Sequence, residues 1–184
     1  AFANELSLIC NKKSIDVKKL IDIANLHPRV NILNPGPGVG GHCICVDPWF
    51  LIHSAPNETK LINAARTVND NKPEWVIKKI LEIEKKNNIK NIVCMGLAYK
   101  PDTDDFRESP AIKIFEALKK RAKKANIFAV EPFITDSYEF EKQLIGISEL
   151  PKSDTLFVGL VAHTAFKKID LGNNFVEDFA NVWK

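Results

Sequence analysis

The sequence predicts an α/β fold in which a helical stretch comes first and a parallel sheet follows. Three observations predict it. Short apolar runs at 89–95, 126–130 and 155–161 alternate with helical patterning at 109–118, as parallel strands joined by crossovers do. Residues 1–87 carry apolar side chains at helical intervals and no comparable strand run. One segment interrupts them, since four of the eight glycines fall between Gly36 and Gly41, interleaved with Pro35 and Pro37. The two parts are expected at 1–87 and 88–184.

Phe2, Leu6, Ile9 and Cys10 put a helix already under way from Ala1 to Cys10. Asn11-Lys12-Lys13 breaks it, Ser14 is placed to cap the next helix, and Asp16 falls in that helix's first turn. The second helix carries Ile15, Leu20, Ile21, Ile23 and Leu26. It ends at His27-Pro28, because a residue before proline is driven out of the α region. Asn57-Glu58-Thr59 opens a third helix through Leu61, Ile62, Ala65 and Val68. Pro73 starts or kinks a fourth, running from Glu74 to about Lys86.

Ile89 to Met95, followed by Gly96, reads as a buried strand closed by a glycine turn. Ser109-Pro110 caps a helix bearing Ile112, Ile114, Phe115 and Leu118. Further strands follow at Asn126 to Val130 and Thr155 to Val161, completing a Rossmann-like unit. Ligands of such sheets sit beyond the carboxyl ends of the strands. Those ends carry Tyr99-Lys100, Glu131-Pro132 and His163-Thr164.

Composition narrows the function classes. A chain of 184 residues, 45% hydrophobic and 27% charged, is long and apolar enough for a proper core. Its net charge of +3 is too small to call for a nucleic-acid partner. The densest basic run, Lys119-Lys120-Arg121-Ala122-Lys123-Lys124, closes a helical pattern, where cations complement the helix dipole. No apolar run approaches the roughly 20 residues that span a bilayer, so no membrane partner is expected. Cys10, Cys43, Cys45 and Cys94 show no disulfide framework, which points to a reducing cytoplasm. His42-Cys43-x-Cys45 lacks a second Cys/His pair at ligand spacing, so no metal is expected.

The segment Asn34-Pro-Gly-Pro-Gly-Val-Gly-Gly-His-Cys43 cannot be helix or regular strand, because proline removes donors and glycine favours left-handed conformations. It reads as a shaped loop whose bare backbone approaches another group. Cys43 closes it, and Asp47 lies four residues on. A thiol behind a double glycine with a carboxylate within one turn suits covalent catalysis, the thiolate attacking and the acid activating water. Two plainer readings stand beside this one. A lone cysteine can be a small buried hydrophobe, and an aspartate before Pro48 can be a turn residue.

The order Gly-Val-Gly-Gly-His-Cys-x-x-x-Asp-Pro48 resembles the nucleophile loop of the nucleotide-sugar 6-dehydrogenases, the UDP-glucose/GDP-mannose dehydrogenase family. Other motifs are similar to the same family: Ala3-Asn4-Glu5-Leu6, His27-Pro28-Arg29, Gly96 through Pro110, Val161 through Phe166, and Asp178-x-x-x-x-Trp183. The resemblance covers essentially the whole chain. It implies a helical central dimerisation segment followed by a Rossmann-like parallel α/β UDP-binding domain. It implies NAD-dependent oxidation of a sugar C6 alcohol to the carboxylate through a thiohemiacetal and thioester on Cys43, assisted by Asp47. His27, Arg29, Gly40, Tyr99 and Lys100 would touch the UDP-sugar, with Arg29 reaching it across a homodimer interface built on the central helices. Arg107 would contact NAD. Otherwise Arg107 pairs with Asp104, Asp105 or Glu108, and Tyr99 is strand-end packing. His163 reads as a satisfied strand-end histidine.

Departures sharpen these expectations. Val46 stands where UDP-glucose dehydrogenases carry lysine, so the loop is most like the UDP-N-acetylmannosamine branch. UDP-N-acetylglucosamine and UDP-glucose remain rival substrates, and a UDP-sugar-binding, dimerising module without activity is an alternative. Ala180 stands where the family often has lysine or arginine. The first strand turn, Gly96-Leu-Ala-Tyr-Lys100, is not Gly-x-Gly-x-x-Gly, so UDP rather than NAD is expected on this sheet. The chain opens at Ala1 inside a helix, as a C-terminal piece of such an enzyme would. The family's NAD-binding domain and its catalytic lysine and asparagine are expected upstream, leaving these residues inactive alone.

Overall fold

A computed structural model describes residues 1–134 and 143–183. The helical part opens with α1 (Phe2–Lys13) and α2 (Val17–Ala24). Asp16, not Ser14, caps α2: its carboxylate accepts from the N–H groups of Lys18 at 2.9 Å and Lys19 at 3.2 Å. Ser14 instead closes α1 in the left-handed region at φ 55°. Asp16 stands directly before α2, where its carboxylate reaches the orphan donors, while Ser14 is spent on the reversal that ends α1.

The glycine segment follows, and then α3 (Asp47–Ser54), a helix concealed in the sequence by the apolar run Trp49 to Ile52. Next comes α4 (Lys60–Asn87), one helix of 28 residues rather than two. Pro73 lies inside it. Proline removes one ladder donor and crowds the preceding turn, yet the helix continues on both sides. The N-terminal half of α4 packs on α1 and α3, and Val76, Ile77 and Ile80 enter the core beneath the sheet.

The sheet is built from β1 (Asn91–Met95), β2 (Asn126–Val130), β3 (Thr155–Gly159) and β4 (Phe175–Asp178). All pairings are parallel, in the order β2-β1-β3-β4, with Ile92 opposite both Ile127 and Leu156. The edge strand β4 was not legible in the sequence; its four residues are exposed or half-buried and show no apolar run. The helix α5 (Pro110–Arg121) crosses from β1 to β2, and Ser109 caps it by accepting from Ala111 N–H at 3.2 Å.

Successive residues of β1 face opposite sides. Ile92 and Cys94 join α4 and α5 in one buried cluster with Phe115 and Leu118. Val93 and Met95 join Phe157, Phe166 and Val182 in another. Burial on both faces explains the continuous apolar runs that betrayed β1 and β3. Among the described residues no helix is long and apolar enough to cross a membrane.

Candidate active site

The strand order reverses at β1, whose crossover goes to β2 on one side while β3 lies on the other. A parallel sheet opens a crevice at such a switch point, because the connections leave the carboxyl ends in opposite directions. Here the crevice is a cavity of about 240 Å³ lined by Tyr99 and Lys100 after β1 and by Leu160 to Ala162 after β3. The segment Asn34 to Gly38 forms another wall, and Pro110, Ala111 and Ala180 also line the cavity. The helical part therefore lays its glycine loop against the ligand edge of the sheet.

The contact requires glycine. A Cβ on Gly40 would stand 2.8 Å from both the Glu108 carbonyl oxygen and Tyr99 Cβ, closer than such atoms approach. Gly41, at φ +89°, lies against the Tyr99 ring and donates its N–H to the Arg107 carbonyl at 3.0 Å. Asn4 braces the loop from α1: its Oδ1 accepts from Gly36 N–H and its Nδ2 donates to Asn69 Oδ1 of α4, each at 2.9 Å.

Beyond Gly41 the backbone turns so that Cys43 is exposed while Cys45 is buried, its Sγ donating to the Gly41 carbonyl. The Cys43 carbonyl accepts from Val46 N–H at 3.0 Å and Asp47 N–H at 2.8 Å. Asp47 thus stands one turn from the thiol and opens α3, in the first turn where a carboxylate complements the helix dipole. Arg66 of α4 supports this turn, its Nη1 donating to the Ile44 carbonyl at 3.4 Å and its Nη2 pairing with Asp70. The reading of Cys43 as a buried hydrophobe is excluded by its exposure.

Arg107 lies on the same side. Its Nε donates to both Asp105 oxygens, at 2.9 and 3.1 Å, and this pairing holds the Asp105 carboxyl at about 2. The guanidinium in turn keeps its proton more firmly, chiefly through Asp105 and also through the nearby Tyr99 and Cys43 groups. Asp105 is therefore the partner among the three acids considered. Lys100 Nζ sits 5.4 Å from the Tyr99 ring centre.

Gly40, Cys43, Tyr99, Lys100 and Arg107 thus gather around one edge of the sheet, and Asp47 follows one turn beyond Cys43 at the start of α3. His27 and Arg29 do not join them within the single chain. Both are exposed beyond α2, His27 Nδ1 accepts from Arg29 N–H at 3.2 Å, and among the described residues no hydrogen bond or ion pair takes either side chain to the loop.

Sequence reasoning placed Glu131 and His163 at strand ends but did not pair them. His163 is fully buried, accepts from Asp102 N–H on Nδ1 at 2.9 Å, and its Nε2–H donates to Glu131 Oε2 at 3.1 Å. Glu131 Oε2 also accepts from Leu97 and Ala98 N–H at 2.7 and 3.0 Å. Burial pushes this carboxyl up, but the bonds from His163 and the backbone more than offset it and the group stays below its ordinary range. His163 is satisfied, as its reading as a strand-end histidine required. The available signal was the shared position of both residues at the carboxyl ends of β2 and β3, the two strands that flank β1.

Fold and site define a class of two-part α/β protein, in which a helical segment sets a thiol-bearing loop on the switch point of a parallel sheet. Residues 1–71 match the central domain of the UDP-glucose/GDP-mannose dehydrogenase family, and residues 93–184 match that family's UDP binding domain. The chain belongs to this family of dehydrogenases. It is 44% identical over 201 residues to the UDP-N-acetyl-D-mannosamine dehydrogenase of Escherichia coli K12, covering all of this chain and 47% of the relative. It is 43% identical over 189 residues to the NDP-N-acetyl-D-galactosaminuronic acid dehydrogenase of Ralstonia solanacearum, covering all of this chain and 44% of that protein. In structure it is similar to the UDP-N-acetyl-mannosamine dehydrogenase of Staphylococcus aureus, with a TM-score of 0.83 at 37% identity, over all of this chain and 44% of that one. The chain therefore spans about half the length of the curated relatives it matches.

Proposed function

We propose that this chain is the substrate-binding half of an NAD-dependent 6-dehydrogenase acting on a UDP-N-acetylhexosamine, with UDP-N-acetyl-D-mannosamine as substrate. The observation that carries the reading is the exposed Cys43 at the end of a glycine loop packed on Tyr99, beside the switch-point cavity. Lys100 supplies a cation for the diphosphate, Tyr99 and Gly40 shape the sugar side, and His27 and Arg29 reach substrate from a second copy.

NAD, when bound to the completed enzyme, would supply the hydride acceptor for both oxidations. The fit of this chain to that cofactor is partial: its Gly-x-Gly-x-x-Gly spacing, Gly36 to Gly41, follows helix α2 rather than a strand, the turn after β1 lacks such a run, and Arg107 is its one contributing residue. The chain's own chemistry lies at sulfur. Cys43 Sγ bonds to C6 of the sugar aldehyde, and a proton reaches the new oxygen to give a thiohemiacetal. At the acyl level the same sulfur carries a thioester. Water adds to its carbonyl carbon, Asp47 takes the water proton, and the C–S bond breaks to release the carboxylate and restore the thiol. These 184 residues alone are expected not to turn over, since they hold no complete site for the hydride acceptor.

The two parts are read as a central dimerisation unit at 1–87, with α4 as its connecting helix, and a UDP-binding unit at 88–184. A homodimer is supported by the exposed Leu26, Phe50 and Leu61 on the helical part, the outer two 82% accessible in the single chain. Free thiols at all four cysteines suit a reducing cytoplasm. The test is calorimetric titration of the chain with UDP-N-acetylmannosamine and, separately, with NAD. Binding of the sugar nucleotide alone is expected, and binding of NAD alone would overturn the assignment of the sheet to UDP.

A second reading concerns the sugar. The near-equal identities to the E. coli and R. solanacearum enzymes favour a wider N-acetylhexosamine specificity, extending to a galactosamine-derived substrate. Turnover of several UDP-N-acetylhexosamines by the enzyme completed with its NAD-binding part separates the two.

A further inference from the structure

The segment that carries Tyr99 and Lys100 is held at both of its ends by one buried pair. At its start, the N–H groups of Leu97 and Ala98 converge on Glu131 Oε2 at 2.7 and 3.0 Å. At its finish, Asp102 N–H donates to His163 Nδ1 at 2.9 Å. The two anchors are joined through the His163 Nε2–H bond to the same Glu131 oxygen, at 3.1 Å. Both side chains are fully excluded from solvent. Phe133 and Phe166 flank the imidazole, with ring centres at 5.2 and 5.3 Å. A third fastening lies outside the pair: the Asp102 carboxylate accepts from Thr164 N–H at 2.8 Å and Thr164 Oγ1 at 2.7 Å.

Nothing about β1 itself requires this arrangement. Met95 ends the strand, and the six residues Leu97 to Asp102 leave it without ladder partners of their own. Ser109 Oγ donates to the Leu97 carbonyl at 2.6 Å and Tyr99 N–H to the Asp105 carbonyl at 3.0 Å, while the N–H groups at both ends of the segment depend on residues from the ends of two other strands, Glu131 after β2 and His163 after β3. The Leu97 and Ala98 N–H bonds to Glu131 are buried and the Asp102 N–H bond to His163 is part-buried, so losing either acceptor leaves an unmade hydrogen bond that water does not readily replace.

We infer that Glu131 and His163 are positioning residues of the substrate site: they hold the Leu97–Asp102 turn in the shape that presents Tyr99 and Lys100 to a nucleoside diphosphate, without touching the ligand. The inference rests on the reading of this edge as a UDP-sugar site. It assigns function to a carboxylate and an imidazole that the thiol chemistry does not use. It also explains why both are buried where a solvated acid or a plain apolar side chain would serve packing equally well.

The test is calorimetric titration of the 184-residue chain with UDP. Glu131→Gln keeps the size of the side chain but turns one acceptor oxygen into a donor facing backbone N–H groups. It is expected to weaken UDP binding about 10-fold or more, the scale of a buried unmade bond. Thr164→Val, at the exposed third fastening, loosens the Asp102 end of the same turn and keeps the fold where Glu131→Gln fails to. It is expected to weaken binding about 3-fold, the loss of one ordinary hydrogen bond. Val76→Ala, in the core beneath the sheet, serves as a control destabilised elsewhere and should bind UDP as the parent does. Amide exchange at Leu97, Ala98 and Asp102 should accelerate in the first two variants and not in the third. No UDP binding by the parent chain overturns the UDP-site reading and this inference with it. Parent-like UDP affinity in Glu131→Gln and Thr164→Val, with normal binding by the parent, overturns the positioning role alone.

Discussion

The N–H of Gly41 donates to the carbonyl of Arg107 at 3.0 Å, joining the loop that bears the thiol to the turn that follows β1. The two segments lie 66 residues apart in sequence, and the bond is reinforced by Gly40 resting on Tyr99 and the Glu108 carbonyl. The thiol and the sheet edge are consequently one surface. Disturbing either side of this contact should be felt on the other.

Gly40→Ala tests that coupling directly. Its Cβ would meet backbone and ring-bearing atoms at 2.8 Å, so the loop must lift from the sheet. A loss of about 1–3 kcal/mol is expected, the usual range for overpacking a close contact. Thermal unfolding measures it, and UDP-sugar binding should weaken in the same variant.

Thiol labelling should be sharply selective. Cys43 is exposed, whereas Cys10, Cys45 and Cys94 are buried, and burial pushes the Cys94 thiol up to about 12. Iodoacetamide on the native chain should modify one equivalent quickly, and unfolding in urea should expose four. Cys43→Ser should abolish the fast equivalent; labelling that persists would show that the loop exposes a different sulfur.

Stability should carry a distinct alkaline signature from Lys72. This amine is buried in α4, donates to Ser7 Oγ at 2.5 Å and lies 4.1 Å from the Trp75 ring centre. Burial, aided by Lys79, lowers it from 10.5 to about 8. The unfolded chain therefore binds the proton more tightly, so this group's contribution to stability rises as pH climbs from about 8 to 10.5. Cys94 works the other way: its thiol rises from 9.0 to about 12, and stability is lost as pH passes above 9.0. The comparison of Lys72→Met with the parent cancels Cys94. The variant should be more stable by about 1–2 kcal/mol at pH 7, with the gain vanishing near pH 10. Urea unfolding at several pH values provides the measurement.

The α1–α2 junction gives a pair of opposite effects. Asp16→Ala removes the cap of α2 and should cost about 1 kcal/mol. Ser14→Gly relieves a left-handed residue at φ 55° and should be neutral or slightly stabilising. Had Ser14 been the cap, the two outcomes would be exchanged.

Local chemistry was the readable part of this chain. Burial on both faces wrote β1 and β3 as apolar runs, and Ser109-Pro110 announced α5. The glycine loop and Cys43 were legible because few other residues permit such close packing. The edge strand β4 was not, because residues half open to solvent need no continuous apolar pattern. Pro73 misled because a proline inside a helix costs locally, whereas packing along the whole of α4 decides its continuity. Glu131 and His163 lie 32 residues apart and meet only through the sheet order, which no local pattern encodes.

The unbroken α4 has a consequence for phase. Its N-terminal half meets the loop through Arg66 and, by way of Asn4, through Asn69, and its C-terminal half lies under the sheet through Val76 and Ile80. Each helical residue advances about 100° and 1.5 Å, so the helix works as an indexed shaft between the two. One residue inserted near Asn71 would turn Asn69 and Arg66 away from the loop by more than a quarter revolution, with no change in either end's own sequence. Insertions are thus expected to be tolerated in the connecting turns and penalised along α4, where a single extra residue would set the thiol out of step with the sheet.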